Sequence, residues 1–189
     1  IDNSAQMQFT TLHTARLTLR KLDPEAMAYI HHKLSDEKIM EILGLPTIED
    51  LEAEKEKFRK GLSTYQKSFS YFQLIDNKSQ KIIGWCGYHT WYLKHQRAEI
   101  GYGLFDDQYK GKGLMSEAFV PILDYGFSEM GLHRVEAFIG PDNAPSLGLI
   151  QKFNFVKEGQ LREHYSHEGK LEDSVVFSLL KREWGKLLL

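Results

Sequence analysis

Six residues, Gln108-Tyr109-Lys110-Gly111-Lys112-Gly113, separate two stretches of opposite periodicity and restrict the fold more than any other part of the chain. Upstream, residues 98–105 (AEIGYGLF) read as a strand. Downstream, Met115, Ala118, Phe119, Ile122, Leu123, Phe127 and Met130 recur at spacings of three and four, which puts one apolar stripe on a helix. The helix therefore opens at the glycines, where its first N–H groups lack partners and its dipole is positive. Gly111 and Gly113 carry no side chain to hold a ligand away, and Lys110 and Lys112 add positive charge. Such a junction cradles a pyrophosphate.

Two familiar cradles do not fit. The nucleoside-triphosphate loop ends in Gly-Lys-Ser/Thr, whereas Lys112 is followed by Gly113. The dinucleotide fingerprint needs a third glycine where Ser116 stands. Six residues alone leave a lysine-flanked left-handed turn open beside the phosphate cradle.

The order of later segments narrows the reading. Residues 132–139 (LHRVEAFI) form a second strand, followed by Asn143-Ala144-Pro145-Ser146, Lys152-Phe153-Asn154-Phe155, Glu158-Gly159, and a tail from Glu172-Asp173 through Phe177 and Leu180 to Trp184. Together with the Q-x-x-G-x-G loop, this order resembles the GNAT superfamily of N-acetyltransferases. Within it the chain is similar to the RimJ/RimL-type branch, which acetylates protein N-termini, small amines and related nucleophiles. The resemblance extends from about Arg16 to Trp184. It implies an α/β fold with a mixed central sheet of about seven strands, splayed at the cofactor site and flanked by helices.

The resemblance also implies acetyl-CoA as co-substrate, with no metal, and an amine acceptor. A protein or peptide N-terminus is the first acceptor it suggests, and a polyamine or antibiotic the alternative. The cofactor would be held by Gly103, Leu104 and Phe105 as an added strand, by Lys110, Gly111, Lys112, Gly113, Leu114 and Met115 at the loop, and by Asn143 and Ser146. The amine would attack the thioester directly in a ternary complex. The tyrosine that the superfamily often places seven residues after the asparagine is Ile150 here, so Ser146 becomes the candidate proton donor. Glu99 matches the family's strand glutamate, a general base acting through water. Tyr165 is placed at the acceptor site.

Each residue also has a structural reading. Asn143 is a good helix N-cap with Pro145 in the first turn, and Ser146 is an ordinary first-turn residue. Glu99 could pair with Arg97 or with a lysine on a neighbouring strand, and Tyr165 could be packing. His89, Trp91 and Tyr92 fall where a substrate could touch them. The pairs His31-His32 and His164-x-x-His167 lack the remaining ligands of a metal site. Cys86, between Trp85 and Gly87, reads as a small buried hydrophobe. Asn154, at a turn where the family has glycine, should adopt αL. Pro121, inside the long helix, should remove one hydrogen bond and kink it.

Composition agrees with one enzyme domain. The chain has 189 residues, 42% hydrophobic and 26% charged, enough for one core. A net charge of −2 argues against a nucleic-acid groove, and no apolar run approaches the ~18 residues of a membrane span. The one cysteine excludes an intrachain disulfide and fits a reducing cytoplasm. Residues 7–189 read as a single domain, and 1–6 as a loose arm or a cloning remnant ahead of Met7. The oligomeric state stays open, a homodimer among its alternatives.

A coarse walk expects strands at 16–20, 70–75, 81–92 and 98–105, helices from Asp23-Pro24 through 34 and from Thr47 to about 65, and a terminal hairpin turning at Glu168-Gly169. The rival to catalysis is a non-catalytic acyl-CoA-binding module. Acceptor-dependent release of free CoA distinguishes the two.

Overall fold

The structure is a computed structural model that describes residues 7–61 and 67–187. The expected end of the second helix near 65 lies outside the described residues. Eight strands form one sheet: β1 (Thr11–His13), β2 (Leu17–Leu22), β3 (Lys67–Asp76), β4 (Ile82–Tyr92), β5 (Arg97–Leu104), β6 (Arg134–Ile139), β7 (Val156–His167) and β8 (Lys170–Leu180). Six helices flank it: α1 (Pro24–Lys33), α2 (Asp36–Leu43), α3 (Ile48–Arg59), α4 (Leu114–Ser128), α5 (Ala144–Lys152) and α6 (Lys181–Leu187). The strand order is β1-β2-β3-β4-β5-β6-β8-β7, and of the neighbouring pairs only β5–β6 is parallel. The sheet is thus mixed as expected, with eight strands instead of about seven. The extra one is the edge strand β1, whose three residues are too few to show a period.

Local chemistry sets the helix ends. Asp23 accepts from the Ala26 N–H at 2.9 Å ahead of Pro24, and Thr47 accepts from the Asp50 N–H at 3.1 Å. Helix α2 was not anticipated, although Ser35 caps it, Asp36 and Glu37 fill its first turn and Gly44 ends it in αL. Asn154 adopts the expected positive φ of 56°, and the terminal turn has Glu168 and Gly169 both left-handed. Helix α4 runs from Leu114 to Ser128 with Pro121 inside it.

Side-chain alternation divides the core between the two faces of the sheet. Leu17, Leu19, Phe72, Leu74, Cys86 and Tyr88 point to one face, where α4, α5 and α6 add Phe119, Ile122, Ile150 and Trp184. Leu22 and Phe69 point to the other, under Ala26, Met27, Ile30, Ile39 and Leu51 of α1, α2 and α3. Cys86 is fully buried, and desolvation pushes its thiol well above the ordinary range, in keeping with a packing role.

Candidate active site

The parallel pairing of β5 with β6 covers three residue pairs, Arg97/Arg134, Ala98/Val135 and Glu99/Glu136. Beyond them β5 continues to Leu104 and β6 to Ile139 without pairing, so the sheet forks. A chain of charges pins the crotch of the fork. Arg97 donates to Glu136 at 2.8 Å, Arg134 to the same carboxylate at 2.9 Å, and Arg134 reaches Glu158 of β7 through two hydrogen bonds of 2.7 and 2.6 Å.

A cleft of about 650 Å³ opens at the fork, in the size range of small-molecule sites. Gly103, Leu104, Lys110, Gly111, Gly113, Leu114, Met115, Asn143 and Ser146 line it, so nine of the residues expected at the cofactor are brought together. Phe105 and Lys112 are not among its walls. Three consecutive strand residues cannot all face one edge. The Phe105 N–H is donated to the Ile83 carbonyl of β4 at 3.0 Å, so alternation turns the backbone groups of Leu104 and Tyr102 to the open edge. The Phe105 ring belongs to a different hollow on the opposite face.

Lys112 acts through its backbone. Arg16 of the segment before β2 donates to its carbonyl at 2.9 Å while its Nε donates to Glu117 at 2.6 Å. Glu117, in the first turn of α4, also accepts from the Thr14 hydroxyl at 2.6 Å and the Arg16 N–H at 2.8 Å. Burial opposes ionisation of this carboxylate, but the hydrogen bonds outweigh it and its pKa is lowered. The clamp holds the loop in the shape its glycines require, φ 69° at Gly111 and 74° at Gly113. No side chain caps α4, so its first-turn N–H groups are left as donors at the cleft. The Lys110 ammonium lies 2.6 Å from Asp107.

Helix α5 forms the other wall. The Asn143 side chain accepts from the Ser146 N–H at 3.2 Å, which confirms its capping role and places Ser146 at the cleft. Ile150 is fully buried and has no proton to offer. The sequence reading missed Tyr102, Tyr109, Ser116, Pro145, Gly148, Leu149 and Lys152, which also line the cleft. Positions 145, 148, 149 and 152 form one face of a helix, and 102 shares a strand face with 104, so both sets were recoverable from periodicity.

Glu99 lies on the other face of β5. It meets His89 of β4, Oε1 to Nε2 at 3.2 Å, and not Arg97, which is committed to Glu136. The His89 Nδ1 is 3.0 Å from the Thr90 hydroxyl. A side chain on Gly101 would collide with the His89 ring and the Trp85 indole, so that glycine lets both rings lie across the strand. His89 faces a second cleft of about 330 Å³, walled by Leu22, Leu43, Leu45, Tyr71, Trp85 and Phe105 beneath α2 and α3. Of the three aromatic candidates here, Trp91 and Tyr92 are not among its walls. Tyr165 lines neither cleft. Its hydroxyl donates to Glu172 at 3.1 Å, and it closes a separate hollow with Gly140, Asp142 and Asn143, because the β7–β8 hairpin carries it away from β4. His164 bonds Ser174 at 2.9 Å, and His31 and His32 both pack on Phe58. No metal-binding cluster occurs among the described residues.

The chain and its fold are similar to those of known proteins. Residues 16–156 match the Acetyltransferase (GNAT) domain family. The uncharacterized N-acetyltransferase p20 of Bacillus licheniformis is 36% identical over 177 residues, covering 93% of this chain and 98% of that protein. The [Ribosomal protein uS5]-alanine N-acetyltransferase of Escherichia coli is 30% identical over 127 residues, 63% of this chain and 61% of that one. Among solved structures, the ribosomal-protein-S5-alanine acetyltransferase of Vibrio fischeri superimposes with a TM-score of 0.65 at 25% identity, covering 93% of this chain and 98% of that chain. The chain belongs to the GNAT family and is an acetyl-CoA-dependent N-acetyltransferase.

Proposed function

We propose that the chain transfers the acetyl group of acetyl-CoA to the α-amine of a protein or peptide N-terminus, by direct attack in a ternary complex. The observation that carries this reading is the chemistry of the second cleft. Its walls are largely leucine and aromatic. Its carboxylate Glu54 lies 3.7 Å from Lys57, and Glu99 beside it lies 3.2 Å from His89. A polyamine presents several cations and is best held by several unpaired carboxylates. One amine followed by an apolar side chain matches the cleft better. The S5-alanine acetyltransferases of Escherichia coli and Vibrio fischeri are named for an alanine, an amine next to an apolar side chain.

In this reading the pyrophosphate rests on the N–H groups at 113–116, and the pantetheine arm pairs with the free edge of β5 at Leu104. The acceptor enters from the His89 side. An α-amine with pKa about 8 is roughly a tenth neutral at pH 7, so a modest base suffices. Glu99, with His89 against it, takes the ammonium proton through water. The amine nitrogen bonds the carbonyl carbon, the C–S bond breaks, and Ser146 lies on the leaving-group side.

An acceptor panel with free-thiol detection tests the reading. Peptides with free N-termini should release CoA, and the same peptides with blocked N-termini should not. Release with spermidine or an aminoglycoside alone would overturn the peptide assignment.

A further inference from the structure

We infer that Tyr102 is a catalytic residue of this enzyme, its phenol O–H donating a hydrogen bond to the coenzyme sulfur as the C–S bond breaks. The inference rests on the acetyl-CoA reading of the first cleft.

Among the described residues, two buried side-chain polar atoms have no hydrogen-bond partner: the Tyr102 Oη and the His31 Nε2. His31 is stacked on Phe58, away from both clefts. Tyr102 lines the first cleft beside Gly103, Asn143 and Ser146, its ring held edge-on to Phe119 at 5.1 Å. A buried hydroxyl left unpaired is costly, and such a group in a ligand cleft points to a partner that arrives with the ligand. During acyl transfer charge develops first on the thioester oxygen, which backbone N–H groups can meet, and then on the departing sulfur, to which the buried Ile150 has no proton to offer.

The acidity of the phenol fits a donor that keeps its proton. Burial pushes its pKa up to about 12, against the opposing influence of the nearby Ser146 hydroxyl, which forms no geometrically complete hydrogen bond with it. A thiol like that of cysteine titrates near 8.5, so full transfer from phenol to thiolate is uphill. Tyr102 therefore stays neutral across the working pH range and stabilises charge where it develops. The atoms balance without it. The neutral amine adds to the carbonyl carbon, the C–S electron pair passes to sulfur, and the surplus proton on the new amide nitrogen moves to the thiolate. The products are the acetylated amine and CoA thiol.

The test is Tyr102→Phe, a change that leaves the ring packing in place. Its kcat should fall about tenfold or more while acetyl-CoA affinity by calorimetry stays within about twofold. The thiol pKa of bound CoA, followed by its ultraviolet thiolate absorbance, should rise by about one unit. The melting temperature of the free protein should hold or increase, since an unpaired buried hydroxyl has been removed. A merely structural tyrosine would instead lower stability and leave the thiol pKa unmoved. Unchanged kcat and thiol pKa in the variant, with a parent that binds and turns over, would overturn the inference alone. A parent that binds no acetyl-CoA would overturn the reading of the cleft as well.

Discussion

The Tyr88 hydroxyl sits in the space that a side chain on Gly126 would need, and from there it donates to the Ile122 carbonyl of α4 at 2.9 Å. This contact brings β4 and the site helix together at the centre of the core, where Tyr88 is fully buried. Gly126→Ala should cost about 2–4 kcal/mol by denaturant unfolding, because the added methyl group meets a ring with nowhere to go. A loss below about 0.5 kcal/mol would show that α4 can slide away from the sheet.

Gly148 offers a clean probe of the first cleft. It lies within α5, lines the cleft, and has open space where a side chain would project. Gly148→Ala should raise stability by about 0.5–1 kcal/mol through helix propensity alone. Gly148→Phe should keep the fold and weaken acetyl-CoA binding at least tenfold, about 1.4 kcal/mol. Unchanged affinity in calorimetry would remove this wall from the coenzyme site.

The pairing of Glu99 with His89 predicts a pH-dependent defect. Glu99→Gln should reduce turnover about ten- to a hundredfold at pH 7 and converge on the parent near pH 9, where an α-amine of pKa about 8 is already neutral. His89→Gln should shift the profile in the same direction, with acetyl-CoA affinity unaltered in both. An equal deficit at every pH would make the pair a structural contact.

Glu158 should set part of the acid sensitivity. Arg134 foremost, then the Ser178 hydroxyl, holds its pKa at about 2, below the ordinary 4.5. A folded value lower than the unfolded one means the stabilisation is complete above about pH 4.5 and vanishes as pH falls toward 2. The carboxylate is 41% exposed, so solvent screening leaves about 1 kcal/mol of it. The gap in unfolding free energy between the parent and Glu158→Gln should therefore narrow by about that amount between pH 6 and 2. A gap independent of pH would assign the loss to packing.

What was readable from sequence divides along a physical line. Features encoded within a few residues emerged: the glycine loop, the Asn143 cap, the left-handed Asn154 and the turn at Glu168-Gly169. Partnerships across the chain did not. Glu99 could be assigned a strand, but not His89 as its neighbour, because register and a bulge between Tyr88 and Thr90 decide that pairing. The Arg16–Glu117 clamp joins residues 101 positions apart. The hollow that Tyr165 lines, with Gly140, Asp142 and Asn143, was not legible for the same reason, since the path of a long hairpin depends on where its base is anchored.

The fork has a consequence for the protein between catalytic cycles. Three residue pairs make the seam between two antiparallel leaves, one of five strands and one of three. Past that seam the inner margin of β5 is an uncovered template, the kind of edge that recruits foreign strands. In the proposed binding mode a coenzyme arm lying along it would complete the missing rung. Substrate supply would then also guard solubility: with acetyl-CoA scarce, the enzyme would lose its second reactant and the cover on that margin together.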